Sequence, residues 1–241
     1  MTAALEVRIA AKRFPAVGDA PAKLVVRGFE LRVAATDFVA LFGPSGCGKT
    51  TILNLLAGLD RNFDGEIVRR GGQRTAYVFQ EPRLLPWLTV EDNLRLVLDG
   101  RIDAEPLIGQ WLGEMGLADM GQVFANRLSL GMARRVALAR AFIIRPSILL
   151  MDEPFVSLDE PTALRLQRLL LDTLETHPAA VVFVTHSLRE AVMLADRIAF
   201  LSMAPTRVVR IVDVPLTAEE RRDEVAIERV RQKLATLGPE R

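Results

Sequence analysis

Gly43-Pro44-Ser45-Gly46-Cys47-Gly48-Lys49-Thr50 fills every place of the pattern G-x-x-x-x-G-K-[ST]. Ahead of it, Asp37-Phe38-Val39-Ala40-Leu41-Phe42 reads as a buried strand. Behind it, Thr51-Ile52-Leu53-Asn54-Leu55-Leu56-Ala57 carries helical apolar spacing and stops at Gly58. A strand, a glycine-rich turn and a helix start are the context in which this pattern holds phosphate. Glycines let backbone N–H groups curl around phosphate oxygens with no Cβ in the way. The open N–H groups and positive dipole end of the following helix add a fixed attraction for anions. Lys49 supplies a positive charge for β- and γ-phosphates, and the Thr50 hydroxyl is a hard oxygen ligand for Mg²⁺. The bland alternative, a βα turn that binds nothing, is outweighed because all fixed positions and both flanking elements are present. The stretch predicts a nucleoside triphosphate site.

The bulk numbers fit one α/β domain or one core with an inserted lobe: 241 residues, 50% hydrophobic and 25% charged. A net charge of +1 leaves no basic excess to coat nucleic acid. The single cysteine, Cys47, lies inside the glycine-rich loop, which excludes a disulfide within the chain and suits a reducing compartment. No apolar run is long enough to span a bilayer, and the first residues lack a basic-then-apolar signal pattern. The expectation is a protein soluble on its own account, reaching a membrane only through a partner.

Outward from the loop, Leu5-Glu6-Val7-Arg8-Ile9 alternates and reads as an edge-type strand, with a second alternating strand from Leu24 to Val33. Between them lies a loop rich in small residues and proline, Ala16 to Ala22. Short strands follow at 64–68 and 75–79, the latter ending at Gln80. From Leu84 to about Ala141 helical spacing dominates. Thr89 with Asp92 begins one helix, and Pro106 to Met115 forms another. Strands return at 147–151 and 180–184, short and almost unalternated, as strands covered on both faces should be. Pro161 to Thr176 is the covering helix between them, with leucines at 164, 166, 169, 170, 171 and 174. The fold class expected is therefore α/β, a mostly parallel sheet core with an antiparallel β edge and an inserted helical lobe. Residues 217–237 read as a charged helix opened by a Thr217–Glu220 capping box. Its apolar stripe of Ile227, Val230, Leu234 and Leu237 suits docking on the chain's own core.

Leu149-Leu150-Met151-Asp152-Glu153-Pro154 places two carboxylates at the tip of a buried strand. The first suits Mg²⁺ and its water, and the second can polarise an attacking water, which makes Glu153 the candidate general base. Gln80 and His186 also close strands, and ligands of parallel α/β sheets bind at the strands' carboxyl ends. His177, the other histidine, sits in a polar loop where solvation explains it. Leu128-Ser129-Leu130-Gly131-Met132-Ala133-Arg134-Arg135 opens a basic, alanine-rich helix whose N-terminus is fit for an anion. Its arginines fit an ordinary solvated face equally well.

Together these residues resemble the ATP-binding subunit of an ABC transporter, a P-loop NTPase with a RecA-like core, from about residue 5 to 214. In that resemblance Gly43, Pro44, Ser45, Gly46, Cys47, Gly48, Lys49 and Thr50 form Walker A, with Thr51 beside them at the nucleotide. Gln80 is the Q-loop glutamine, Asp152 ends Walker B, Glu153 is the catalytic glutamate and His186 the switch histidine. Ser157-Leu158-Asp159 is similar to the D-loop, and Phe14 is the aromatic that stacks on adenine. Thr50, Gln80 and Asp152 are the implied Mg²⁺ ligands. The implied layout is a single domain: residues 1–86 and 141–214 as the ATP-binding core, 87–140 as the helical lobe, and 215–241 as a C-terminal helix. Two copies are implied to pair head to tail, each ATP lying between Walker A of one and Ser129 and Gly131 of the other. Leu130 and Met132 depart from the LSGGQ signature, and Thr36-Asp37 stands where Gly-Glu is common. Because Ser129 and Gly131 remain, ATP-driven closure is expected, with Leu130 where a backbone approach is usual.

A narrower likeness lies in Gln80-Glu81-Pro82-Arg83-Leu84-Leu85-Pro86-Trp87, similar to ATPases of nitrate, sulfonate and taurine importers. It implies a membrane permease gripped near Leu84, Leu85 and Trp87, a periplasmic substrate-binding protein, and a place on the cytoplasmic face of the inner membrane. Trp87 fits the lobe core equally well. Export through a permease is the near alternative. A nucleic-acid-clamping ABC ATPase would need a heptad insertion or zinc-binding cysteine pairs that this chain lacks. A P-loop kinase or GTPase would leave the stretch 128–132 and His186 idle.

Overall fold

The computed structural model describes residues 3–16, 18, 21–70, 72–98, 100 and 103–236, which separate into two compact units. The first comprises Met1–Gln73, Leu150–Asp152 and Ala180–Arg241; the second comprises Arg74–Leu149 and Glu153–Ala179. The chain is α/β, with a mixed, mostly parallel sheet and a separate antiparallel one.

In the first unit, β1 (Ala3–Phe14), β2 (Lys23–Ala34) and β4 (Asp64–Arg69) form the antiparallel sheet in the order β2-β1-β4. The alternating stretch 5–9 is thus a central strand, hydrogen-bonded on both sides, and the edge reading is corrected. Alternation reports that one face of a strand is wet; it says nothing about lateral neighbours.

The other sheet is built around β3 (Phe38–Phe42), paired in parallel with β7 (Ala180–Thr185) on one side and β8 (Arg197–Leu201) on the other. The outer strand β9 (Val208–Asp213) runs antiparallel to β8, and the end of β6 (Ile148–Asp152) neighbours β7. Every residue of β6 and β7 is buried, which explains their unalternated sequences. Phe38 and Phe183 meet edge to face with centroids 6.0 Å apart. Sequence spacing did not reveal β8 and β9, strands of five and six residues in which Arg197, Arg210 and Asp213 break up the apolar positions.

Asp37 explains its own presence at the start of β3. Its Oδ2 accepts from Ala34 N at 2.9 Å and from the Arg197 guanidinium, closing the turn out of β2. Helix α1 (Lys49–Ala57) follows β3 and stops at Gly58, whose N–H reaches back to Leu55 O at 3.0 Å.

The C-terminal stretch differs from its prediction as one helix. Thr217 and Glu220 do form the reciprocal box, with Thr217 N donating to Glu220 Oε2 at 2.8 Å and Glu220 N to Thr217 Oγ1 at 3.2 Å. What they cap is a single 3-10 turn, Glu220–Arg222; Asp223 then turns extended and caps a new helix (Glu224–Ala235) through Val225 N at 2.9 Å. Arg221 dictates the break. It is buried and donates to Ala195 O at 2.7 Å and Asp196 Oδ1 at 2.9 Å, contacts that a continuous helix would carry away. Ile227, Val230 and Leu234 are buried, as their stripe predicts; Leu237 lies outside the described residues.

In the second unit, β5 (Thr75–Val78) lies beside the start of β6, and Ser147 N donates to Arg74 O at 2.9 Å. Among the described residues four α-helices follow: α2 (Val90–Arg95), α3 (Ala104–Glu114), α4 (Leu130–Phe142) and α5 (Glu160–Thr176). Thr89 caps α2 as expected, accepting from Asp92 N at 3.2 Å. On α5 the buried set is Leu166, Gln167, Leu170 and Thr173, one helical face. The short α6 (Leu188–Leu194) and the C-terminal α7 (Glu224–Ala235) belong to the first unit.

Candidate functional site

Functional segments meet in the first unit at the ends of the adjacent parallel strands β3 and β7. Phe42 pairs with Thr185, so Gly43 and His186 are the first residues past adjacent strand ends; Asp152 closes β6, the next strand in the sheet beyond β7. Gly46 and Gly48 have φ of +77° and +111°, and Gly48 is the cap of α1, with no side chain to cover the open N–H groups. A Cβ on Gly48 would stand 2.8 Å from Thr206 Oγ1 and 2.9 Å from Val25 Cγ1. Gly48→Ala is therefore expected to destabilise the fold by about 2–4 kcal/mol, the sum of left-handed strain and overpacking, measured by chemical denaturation.

Thr206 was not visible in sequence. Fully buried, it donates through Oγ1 to Cys47 O, while its own N–H donates to Val25 O at 2.7 Å. It props the loop from below, and only its place in the fold reveals this. Cys47 is itself fully buried. Lys49 is 5% exposed, with Nζ donating to Gly43 O at 2.9 Å and Pro44 O at 3.1 Å. The ammonium thus spans the loop. Pro44, Ser45, Gly46 and Thr50 are exposed, and Thr51 half-buried.

Asp152 is 4% exposed and His186 is exposed. The backbone on either side of His186 is fixed: Thr185 Oγ1 donates to Glu190 Oε2 at 2.5 Å and accepts from Ser187 N at 3.0 Å. Phe14 ends β1 with 41% of its surface open, and Lys12 Nζ lies 4.8 Å from its ring centroid. Lys12 is held by Asp60 at 2.7 Å and by Asn62 O at 2.6 Å. Burial, the largest single influence, raises the Asp60 carboxyl, but the Lys12 hydrogen bond, the Asn62 N–H and the Lys12 charge together outweigh it and hold the group below its usual range.

The second unit carries the remaining candidates. Gln80 is exposed just beyond β5, which stops at Val78 rather than at residue 79. Glu153 is half-buried with φ +43°, a conformation that costs a non-glycine residue about 1 kcal/mol or more. Ser129 caps α4, its Oγ accepting from Met132 N at 3.3 Å. A Cβ on Gly131 would lie 2.8 Å from Thr162 Cγ2, so glycine here lets α4 approach α5. Asp159 caps α5 by accepting from Thr162 N at 3.0 Å, and the Thr162 hydroxyl beside it does most to lower its carboxyl pKa. Ser129, Leu130, Gly131, Met132 and Asp159 all line one open cleft of about 650 Å³. Leu130 is 40% exposed in it. Trp87 is 67% exposed, so it does not belong to a core; Leu84 and Leu85 are half-buried.

Acid placement sorts the helices. α2, α3, α5, α6 and α7 each carry Asp or Glu in the first turn, whereas α1 and α4 carry none. First-turn acids neutralise the positive end of the helix dipole. The two helices named from sequence as anion sites are the two that leave it uncompensated.

A parallel sheet ending in a glycine-rich loop, a buried lysine across that loop and a buried carboxylate on a neighbouring strand end define a P-loop nucleotide-binding protein. The family described as ABC transporter matches residues 26–156, and the chain belongs to this family of ATP-binding proteins and is an ATPase. It is 42% identical over 214 residues to an aliphatic sulfonates import ATP-binding protein of Burkholderia lata, covering 86% of this chain and 76% of that one. A protein of the same description from Pseudomonas aeruginosa is 43% identical over 218 residues, covering 85% and 86%. Among solved structures, a dimeric post-hydrolysis ATP-binding cassette bound to ADP and Pi superposes with a TM-score of 0.75. Its identity is 26%, with 88% of this chain and all of that one covered. An inward-facing metal-chelate type ABC transporter gives a TM-score of 0.77 at 24% identity, covering 91% and 87%, a likeness of fold.

Proposed function

We propose that this chain is the energy-coupling subunit of an importer for a small solute of the nitrate, sulfonate and taurine type. It would work as a head-to-tail pair under a membrane permease on the cytoplasmic face of the inner membrane, with a periplasmic binding protein delivering the solute. The observation that carries the reading is identity of about 40% to sulfonate import subunits over most of both chains. Trp87 supports it: a large aromatic, two-thirds exposed after Leu84, Leu85 and Pro86, is a surface anchor for a partner. Among the described residues no helix is long and apolar enough to cross a membrane; in this reading the solute's path runs through the permease.

In the mechanism, residues 1–241 act as one ATP-binding domain, its core at 1–86 and 141–214 and its lobe at 87–140. Phe14 stacks on the adenine, and the Gly43–Thr51 loop and Lys49 bind the phosphates. Glu153 orients and deprotonates the attacking water, and His186 holds the γ-phosphate and that base in register. Ser129 and Gly131 of the second copy close over the γ-phosphate, with Asp159 at the pair's interface. The oxygen donors Thr50 and Asp152 suit Mg²⁺, and the family pattern adds Gln80 as a further oxygen ligand. One buried carboxylate plus phosphate oxygens is the usual setting for this ion. Bound there, Mg²⁺ would neutralise phosphate charge.

If closure against a second copy completes the site, turnover per chain rises with protein concentration at dilute chain. Ser129→Arg, placed at the exposed cap of α4, should abolish that rise while leaving ATP affinity unchanged. Turnover per chain that is independent of concentration, or indifferent to Ser129→Arg, would refute the paired site. For the transport reading, a tagged chain should retain a permease when purified from its own membranes, and Trp87→Ala should reduce that retention.

A further inference from the structure

Arg134 is a cation that the established chemistry does not use. It lies on α4, the helix capped by Ser129, and is 4% exposed. Its Nη2 donates to Val156 O at 2.9 Å, while the buried Nε and Nη1 have no acceptor among the described residues. On α5, Gln167 is 2% exposed and its Oε1 is likewise without a donor among the described residues. Burial pushes the Arg134 guanidinium below its ordinary pKa, yet arginine starts so high that it stays charged. An apolar side chain of the same length would spare the fold this desolvation. The charge is therefore retained for what its one contact does.

That contact falls at a telling place. Val156 belongs to the segment from Glu153 to Ser157, whose two ends are held at φ +43° and +65°, both without glycine. Inside it, Val156 N donates to Glu153 O at 3.3 Å. Left-handed conformations in ordinary residues persist only where surrounding contacts over-determine them. The Val156 carbonyl, gripped from α4, is such a contact, one hydrogen bond away from the Glu153 backbone.

We propose that Arg134 is a positioning residue: by holding the Val156 carbonyl it fixes the loop that carries Glu153 and so sets the general base. The inference rests on the reading of Glu153 as that base. It also gives α4 a direct hold on the loop, since the same helix begins at Ser129.

The test compares Arg134→Met, Arg134→Lys, Glu153→Gln and the double variant Arg134→Met/Glu153→Gln, in the full chain at saturating Mg-ATP. Arg134→Met should lower kcat by about 10- to 100-fold, the effect of a misplaced catalytic group, with KM for ATP changed less than about twofold. Its unfolding midpoint should hold or rise, because orphaned buried donors have been removed. Arg134→Lys, which keeps a donor long enough for Val156 O, should recover most of kcat. The double variant should be no slower than Glu153→Gln alone. A parental rate in Arg134→Met overturns the proposal. So does a joint loss of stability and rate that lysine does not rescue, which marks a merely structural residue. A double variant slower by the full Arg134→Met factor also refutes the route through Glu153. Undiminished turnover in Glu153→Gln instead removes the base assignment, and a loss in Arg134→Met then shows that arginine acting elsewhere.

Discussion

Glu153→Gln is expected to slow steady-state ATP hydrolysis by about two to four orders of magnitude, the range of a lost general base. ATP affinity should stay unchanged. The substitution keeps size and hydrogen-bonding capacity and removes only the ability to take a proton from water. Phosphate release under saturating Mg-ATP reads the first quantity, and equilibrium titration with a fluorescent ATP analogue reads the second. Because binding and closure survive while hydrolysis stalls, the variant should also accumulate as an ATP-bound pair, visible by light scattering. The left-handed backbone at residue 153, just past the end of β6, motivates the expectation, since strain of this kind clusters at functional sites. Undiminished turnover would move the base to another residue, with His186 the next to test. The neighbouring Asp152→Asn should differ, weakening binding of the Mg-ATP pair as well as turnover.

The phosphate loop was legible because its chemistry is local. Glycines, lysine and threonine at fixed spacing act through backbone shape and one helix start, all within residues 43–50. The buried strands β6 and β7 were equally plain, since a strand covered on both faces must be apolar throughout. What sequence obscured was lateral and long-range. The alternation of residues 5–9 named a half-wet strand but not its two neighbours, so a central strand read as an edge. The Thr217–Glu220 box is real, yet Arg221 is committed to the backbone around Ala195, and a local cap cannot report so distant an acceptor. Thr206 under Cys47 and Arg134 behind Val156 escaped for the same reason: each acts on a backbone carbonyl, which carries no signature in the sequence of its partner. Trp87 stood open between core and surface because an aromatic among leucines and prolines has the composition of either. Its two-thirds exposure decides for the surface.

Leu130 can be judged on the same terms. It occupies the first turn of α4 and lines the open cleft, and it is at Gly131 that a side chain would meet α5, 2.8 Å from Thr162 Cγ2. The unit's own packing therefore tolerates the leucine, and under the proposed paired site its cost would fall on the approach of a phosphate from outside. The absence of an acid in the first turn keeps the dipole end of α4 available to that phosphate.

Lys49→Ala should fail one step earlier than Glu153→Gln. The ammonium sits 5% exposed among the loop's own carbonyls, bonded to Gly43 O and Pro44 O, and it is the positive charge of this loop that the sequence pattern aims at the phosphates. Truncation removes a charge-assisted contact in a desolvated setting, an effect of about 2–5 kcal/mol, so the Kd for ATP should rise by about 30- to 5,000-fold. Global stability should fall by only about 1–2 kcal/mol, because two carbonyls lose one donor but border solvent-facing loop residues. Lys49→Arg should not rescue binding, since a planar guanidinium cannot take the place of a compact ammonium between those two carbonyls. Titration with ATP and with inorganic tripolyphosphate separates the contributions: if the lysine reads phosphate and Phe14 reads the base, as proposed, both ligands should weaken by similar factors. A variant that bound ATP normally would take Lys49 out of the phosphate site. If it lost ATP but kept tripolyphosphate, the lysine would be acting through the loop's shape on the nucleoside end. With Lys49→Ala failing at binding and Glu153→Gln at hydrolysis, the two variants assign separate steps to the two residues. Loss of both variants at one step would contradict that division of labour.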